Sequence, residues 1–131
     1  MEKRSFTFKR QEPAELLENN TECLARVKEA EFTMSAAGND MIVLIAELLG
    51  EDGRVRRTVR EHLVFTEKAE WKLSQFAEST GFADEDGAEV AFTEENLVGC
   101  TGKVRVTQET YLDNGGKEQL TNRIGTWLAA A

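Results

Sequence analysis

Three adjoining stretches decide the predicted fold: Met41-Ile-Val-Leu-Ile-Ala-Glu-Leu-Leu49, then Gly50-Glu-Asp-Gly53, then Arg54-Val-Arg-Arg-Thr-Val-Arg60. The first is nearly all apolar, which is typical of a strand that is well covered on both faces. The second has the glycines and acidic residues of a tight turn. The third alternates β-branched and charged residues and runs on through His62 to Phe65, which indicates a half-buried strand. Two of the strands of a meander therefore lie here.

The chain on either side extends this pattern. Before it, Cys23 to Phe32 reads as a strand, and Thr33–Asp40 supplies turn residues. After it, Thr66 is a good helix N-cap and Gly81 a good C-terminal cap, so we predict a helix between them. Trp71 falls opposite the apolar stripe of that helix and either lies under the leader or a loop, or contacts a partner.

The last third predicts a hairpin. Asp84 to Glu95 contains six acidic residues and no basic one, which is typical of a solvated loop, and a short helical turn begins at Thr93. Thr101 to Glu109 alternates as a strand. Asp113-Asn-Gly-Gly116 is a strong hairpin signal, and Lys117 to Ile124 returns as a fifth strand.

The predicted fold class is mainly β: a five-stranded OB-fold-like barrel, with one helix between strands three and four and an N-terminal leader. An OB-fold has this element order and binds oligonucleotides on strands two and three and on the loops that join strands one to two and four to five. Other five-stranded barrels stay open, because the sequence does not give the spatial order of strands. With 131 residues, we expect a leader at 1–20 and a single domain at 21–131.

The leader carries basic residues around two phenylalanines, Phe6 and Phe8. Basic and aromatic residues interleaved in this way suit a nucleic-acid arm. The alternative is a strand or tail that docks on the body through the two aromatic rings.

Composition narrows the class of protein. The formal net charge is −8, which argues against binding duplex DNA by bulk charge but leaves room for a local basic groove. The start of the chain lacks the apolar core of a signal peptide, and the longest apolar run is too short to span a bilayer. We therefore expect a cytoplasmic protein. Cys23 and Cys100 form no Cys-x-x-Cys pair, so we expect neither a metal site nor a redox role.

The arginine strand is the first candidate for a binding site. If Val55, Val59 and Leu63 point inward, Arg56, Thr58, Arg60 and His62 share the outer face, while Arg57 has inward parity at the barrel mouth or beside a bulge. Arg54 begins the same run. By the same alternation, Arg26 and Lys28 face outward on strand one if Cys23, Ala25 and Val27 face inward. Lys103 and Arg105 face outward on strand four.

Such positions can line a groove that follows a phosphate backbone, because Arg binds phosphate oxygens in a planar, bidentate way. The alternative is a set of arginines that pair with the many glutamates. Bases need flat partners, for which Tyr111 is the best candidate, followed by Phe32 and Trp127; each is equally suited to the core.

Catalysis has little support in the sequence. There is a single histidine, no glycine-rich phosphate loop and no nucleophile spacing. Asp84, Glu85 and Asp86 lack the spacing of a calcium site. We expect no enzyme activity, no cofactor and no metal.

Three segments resemble a family of phage-encoded single-stranded-DNA-binding proteins. They are Gly38-Asn-Asp-Met-Ile-Val-Leu44, Leu63-Val-Phe-Thr-Glu-Lys-Ala-Glu-Trp-Lys-Leu-Ser-Gln-Phe76 and Leu97-Val-Gly-Cys-Thr-Gly-Lys-Val-Arg-Val106. The resemblance spans about residues 21–125 and rests on apolar, glycine and aromatic positions. It implies a small OB-fold protein, often oligomeric, that binds single-stranded DNA without sequence preference in the host cytoplasm.

The resemblance also implies a role in phage DNA replication or recombination, with phage or host proteins of those processes as partners and a homodimer among the assemblies expected. Many such proteins end in an acidic tail that recruits partners, whereas this chain ends Trp127-Leu-Ala-Ala-Ala131 and has its acidic segment inside. The alternative function is a protein-interaction module that recruits or inhibits a host factor through its acidic surface, because the fold alone does not fix the function.

Overall fold

A computed structural model describes residue 5 and residues 16–83, 85, 87 and 89–129. The predicted leader lies largely outside these residues. Five strands are present: β1 (Thr21–Met34), β2 (Asp40–Leu49), β3 (Val55–Val64), β4 (Thr101–Leu112) and β5 (Glu118–Leu128). Between β3 and β4 lie a 3-10 turn (Glu67–Ala69), the helix α1 (Glu70–Thr80) and the short helix α2 (Glu94–Leu97). The mainly β class and the helix between strands three and four are confirmed.

All five strands belong to one antiparallel sheet in the order β3-β2-β1-β4-β5. β1 is long enough to pair with β2 over Leu24–Met34 and with β4 over Thr21–Arg26. The meander β1-β2-β3 and the hairpin β4-β5 are as predicted. No backbone ladder joins β3 to β5 in the described part of the chain, so the sheet is open rather than closed into a barrel.

Alternate residues of β2 form the centre of the core. Ile42, Leu44, Ala46 and Leu48 are buried, as the period of a strand requires. Their outward neighbours, such as Val43 and Ile45, are only half-buried. The apolar run of β2 therefore overstates how well its outer face is covered.

Helix α1 packs on the sheet through Phe76. The Phe76 ring meets Trp127 of β5 edge to face, with ring centroids 4.8 Å apart. Gly102 of β4 makes this approach possible, because a Cβ there would lie 2.7 Å from Ser79 Oγ. At its end the helix stops at Gly81, whose φ of 82° is the left-handed conformation that glycine adopts most readily.

A buried carboxylate joins the two edge strands to the helix. Glu61 lies on β3 with 4% exposure, at an inward position opposite Leu44. Its Oε2 accepts a 3.0 Å hydrogen bond from Trp127 Nε1 on β5, and its Oε1 lies 2.5 Å from Lys72 Nζ on α1. The backbone N–H of His62 donates a further 2.9 Å hydrogen bond to Oε1. Side chains thus connect β3 and β5 where the backbones do not pair.

The segment before β1 is held by a side-chain amide. Asn122, buried on β5, accepts a hydrogen bond from the backbone N–H of Leu17 and donates one to its carbonyl. Leu17 itself is 9% exposed and belongs to the core. The core therefore includes a residue of the segment predicted as leader.

We predict that Glu61→Ala lowers the free energy of unfolding by about 3 kcal/mol, because it leaves the Lys72 ammonium and the Trp127 indole N–H without their acceptor. Glu109→Ala is the control, since it breaks an exposed ion pair with Arg123 and should change stability by less than about 1 kcal/mol. Urea unfolding monitored by tryptophan fluorescence measures both. Equal losses in the two variants would contradict the structural role of Glu61.

Candidate nucleic-acid interface

The outer face of β3 is partly as predicted. Thr58, Arg60 and His62 have outward parity, opposite Glu47, Ile45 and Val43 of β2. Arg60 and His62 therefore border an apolar strip on β2, and Arg60 forms no ion pair with any described residue.

A bulge changes the start of β3. Arg57 pairs with Leu48 and Val55 with Leu49, so Arg56 is the extra residue between them. Arg57 keeps the inward parity beside a bulge that the sequence predicts. The prediction that Val55 points inward is wrong, because the extra residue shifts Val55 to the outer parity, where it is 44% exposed.

On the same outer face, but on the other side of β2 from β3, strand β1 contributes acidic residues. Glu29 and Glu31 lie across from Ile45 and Val43. Arg26 is outward, as predicted, but its guanidinium binds Glu47 at 3.2 Å. Lys28 does not continue the parity of Arg26, because it is the extra residue of a bulge between Val27 and Glu29. The predicted basic contribution of β1 is therefore small.

Lys103 and Arg105 have the predicted outward parity on β4 and share one counter-ion. Their nitrogens lie 3.5 Å and 3.6 Å from the carboxylate of Glu22 on β1. In the sheet order, β1 and β2 separate them from Arg60. The alternative of arginines that pair with glutamates thus applies to Arg26, Lys103 and Arg105.

The edges of β3 and β5 meet through basic residues. Arg57 Nη2 lies 3.4 Å from Thr121 Oγ1, which links the arginine strand to the half of β5 that is nearer the hairpin tip. Arg123, two residues further along β5, affects the ionisation of His62 across the same seam. We call this region the β3–β5 seam, and it includes Arg57, Arg60, His62, Thr121 and Arg123.

Arg123 is not among the site residues predicted from the sequence. It pairs with Thr107 on the outer face of the hairpin and forms an ion pair with Glu109 through its Nε. The alternation Gln119, Thr121, Arg123 along β5 contains the necessary signal, since it places the three residues on one face.

Arg54 and Arg56 lie at the start of β3, beside the β2-β3 turn. Arg54 is well exposed, 3.9 Å from Asp52 Oδ2. Arg56 packs against Gly50, where a Cβ would lie 2.5 Å from its Nε. A groove of ≈ 690 Å³, the turn-end groove, begins here and is lined by Arg56, Lys103, Leu16, Leu24, Leu49 and Glu22 among others.

Of the three aromatic candidates, two are accessible. Tyr111 is 49% exposed on the outer parity of the β4-β5 hairpin, whose tip is ordered by Asp113 through hydrogen bonds from the N–H groups of Gly115 and Lys117. The Lys117 N–H, the Gln119 side-chain amide and the Gly115 N–H, in that order, lower the pKa of Asp113. Phe32 is 51% exposed at the other end of the sheet. Trp127 is 2% exposed and packs in the core, which removes it as a stacking residue.

The ionisation of His62 reports on the charge around it. Partial burial lowers its pKa; Glu61 opposes this, while Lys72, Arg123 and Arg60 lower it further. Lys72, which is itself paired with the inward Glu61, and the outward Arg123 and Arg60 therefore all act on one imidazole.

The cysteines offer no reactive thiolate. Burial raises the pKa of Cys23, and it raises that of Cys100 to about 11. Within the described residues, no group of three or more His, Cys, Asp and Glu side chains is arranged to hold a metal ion. Nor does any described helix have the length and apolar character needed to cross a membrane.

Comparison with known proteins gives no family. No protein-family model matches the chain, and no curated protein matches it.

We predict that His62 titrates below its ordinary pKa of 6.5. Since the unfolded chain then binds more protons than the folded chain as the pH falls through about 6.5, stability should decrease with that fall. Two-dimensional NMR of the imidazole C–H resonance measures the midpoint, and urea unfolding of wild type and His62→Gln at pH 7.5 and 5.5 measures the linkage. A midpoint above 6.5 would show that Glu61 outweighs burial and the cations.

Proposed function

We propose that this protein binds single-stranded DNA without enzymatic activity and with little sequence preference, at the β3–β5 seam. The observation that carries the proposal is that β3 and β5, joined where Arg57 donates to Thr121, also carry the outward Arg60 and Arg123, in a chain of net charge −8. In an acidic protein, a local cluster of guanidiniums attracts a polyanion at short range while the rest of the surface repels it.

We further propose that the fold is an OB-fold-like barrel in which side-chain contacts, rather than a backbone ladder, connect β3 to β5. Two contacts support this: Trp127 to Glu61 and Arg57 to Thr121 both connect β3 to β5. The strand order then leaves β2 and β3 on the face that such barrels use for oligonucleotides, next to the β4-β5 hairpin.

Features beside the cations favour a single strand over a duplex. Val43 and Ile45 offer half-buried apolar side chains next to Arg60, and Tyr111 offers an exposed ring. Unpaired bases bury their faces on such groups, whereas the bases of a duplex are already stacked. A duplex would also bring more phosphates near Glu29 and Glu31.

The biological setting of the proposal follows from the sequence resemblance. We propose a role in phage DNA replication or recombination in the host cytoplasm, alongside phage or host proteins of those processes. The proposed site contains Arg60, His62 and Tyr111, which the sequence predicts, with Arg57 and Arg123 added from the geometry. Neither a cofactor nor a metal is part of the proposal.

We predict that replacing Arg60 and Arg123 together with alanine weakens binding to an oligothymidine. It should also make the dependence of log affinity on log salt shallower by about 0.7 for each phosphate that the protein no longer neutralises. Fluorescence titration at several salt concentrations measures both quantities. Lys68→Ala, an exposed charge on the 3-10 turn, is the matched control and should leave the slope unchanged.

A comparison of strand types separates this function from the alternative. In a gel shift at low salt, the protein should retain single-stranded DNA in preference to duplex. Retention of neither would contradict DNA binding and favour a protein-interaction module. An unchanged salt slope in the double variant, with binding intact, would move the site away from the seam.

We predict that Tyr111→Ala lowers affinity for oligothymidine by about 1–3 kcal/mol, the contribution of stacking one base. Tyr111→Phe should keep most of the affinity, because the aromatic face remains. Neither variant should change the salt slope, since the cations that bind phosphates are all retained. Titrations of both variants test this, and equal losses for alanine and phenylalanine would point to the hydroxyl rather than to stacking.

A further inference from the structure

The tip of the β4-β5 hairpin contains the one Asn-Gly pair of the chain, Asn114-Gly115. Asn114 is exposed at this tip. An asparagine that precedes a glycine is the asparagine most prone to lose its side-chain amide, because glycine has no Cβ to hinder the approach of its backbone nitrogen to the asparagine Cγ. The pair is therefore a candidate for a chemical change that needs no enzyme.

The turn requires only the second of its two adjacent glycines. Gly116 has a φ of 79°, which is the left-handed conformation that favours glycine. Gly115 lies outside that region, and a Cβ on it would lie 3.4 Å from Asp113 Oδ1, an ordinary van der Waals contact. Gly115→Ala should therefore keep the turn, so the effect of Gly115 on the reactivity of Asn114 can be measured separately from the shape of the hairpin.

The carboxylate of Asp113 holds the nitrogen that would attack. The backbone N–H of Gly115 donates a 2.9 Å hydrogen bond to Asp113 Oδ1, and the N–H of Lys117 donates one of 3.0 Å to the same oxygen. The side-chain amide of Gln119 donates to Oδ2 at 3.2 Å. The N–H of Gly116 closes the turn with a 3.0 Å hydrogen bond to the Asp113 carbonyl.

We propose that Asn114 deamidates spontaneously and that Asp113 slows the reaction. The Gly115 nitrogen loses its proton and attacks Asn114 Cγ, so that a new C–N bond closes a five-membered succinimide ring. The bond from Cγ to Nδ2 breaks, and the amide leaves with that proton as ammonia. Water then opens the ring at either carbonyl, which leaves aspartate or isoaspartate at position 114. Water is the only co-reactant.

Asp113 opposes this reaction in two ways. The attacking nitrogen must become an anion, and a carboxylate oxygen 2.9 Å away disfavours a second negative charge. The nitrogen of the succinimide carries no hydrogen, so ring closure also breaks the hydrogen bond from Gly115 to Asp113. The carboxylate is a poor base for the reaction, because its pKa is lowered from an ordinary value that is already far below that of a backbone amide.

The product would change the hairpin tip. Either product adds a negative charge three residues from Tyr111. Isoaspartate also adds a CH₂ group to the main chain between Asp113 and Gly115, which disturbs the hydrogen bond from Gly116 to the Asp113 carbonyl. This inference goes beyond the proposed function and does not depend on it, since the reaction needs no nucleic acid.

The test follows the full-length protein during storage at mildly alkaline pH. Mass spectrometry of proteolytic peptides measures the replacement of NH₂ by OH at each asparagine, and enzymatic methylation detects isoaspartate. Asn96, whose side chain caps α2, is the internal reference. Wild type stored in urea gives the rate for the unfolded chain, and far-UV circular dichroism checks that each variant folds.

Asn114 should react faster than Asn96, and more slowly in the folded protein than in urea. Asp113→Ala should raise the rate at Asn114 roughly tenfold, because the attacking nitrogen is no longer held away from its target. Gln119→Ala is the matched control, since it removes a hydrogen bond to Oδ2 and leaves the one from Gly115 to Oδ1 in place. Gly115→Ala should react more slowly than wild type.

Each of four results would overturn the proposal. Asn114 that stays intact as long as Asn96 would show that it is not a deamidation site, and Gly115→Ala that reacts as fast as wild type would exclude attack by this nitrogen. Asp113→Ala that reacts no faster than Gln119→Ala would remove the role of Asp113. A faster reaction in the folded protein than in urea would show that the turn promotes the reaction.

Discussion

The fold depends on one buried carboxylate. Glu61 lies at an inward position of an edge strand, where an ion without partners would cost several kcal/mol. Its partners come from α1 and β5, so the charge is satisfied only when the helix has docked and the two edges of the sheet have met. The hydrophobic effect is non-directional. The directional contacts of Glu61 select one arrangement.

The same residue sets the direction of the candidate site. Because Glu61 is inward, its neighbours Arg60 and His62 must be outward, and they lie on the strand that Glu61 holds against β5. The imidazole of His62 then lies close enough to Lys72, Arg60 and Arg123 for all three to lower its pKa. The inward Glu61 and the outward Arg60 and His62 beside it are therefore results of one strand register.

Much of this fold was predictable because its signals are local. The apolar run of β2, the cap at Gly81 and the hairpin at Asp113 each act within a few residues, and these elements formed where the sequence indicates. Thr66 caps a 3-10 turn at Glu67–Ala69, and α1 itself begins at Glu70. The parity of Arg60 and His62 followed from the buried positions Val59 and Leu63. A strand face can therefore be located from the sequence without knowledge of what surrounds it.

The errors have a different origin, which is long-range pairing. Bulges at Arg56 and Lys28 shifted Val55 and Lys28. The position of Arg57 suggests a bulge from the sequence, but which residue is extra, and the second bulge at Lys28, become visible only against the partner strand. Glu61 reads as a surface residue until Trp127 and Lys72 are placed beside it. The counter-ions of Arg26, Lys103 and Arg105 likewise come from neighbouring strands.

The arginines of β3 have a second explanation that needs no ligand. An edge strand exposes unpaired backbone groups, and charged side chains on it prevent pairing with a strand of another molecule. This explains why β3 is charged, although lysine is the residue that edge strands use most for this purpose. The basic residues from Arg54 to Arg60 are all arginines. Edge protection therefore accounts for the presence of charge on β3, while the choice of arginine, repeated at Arg123 across the seam, favours an anionic ligand.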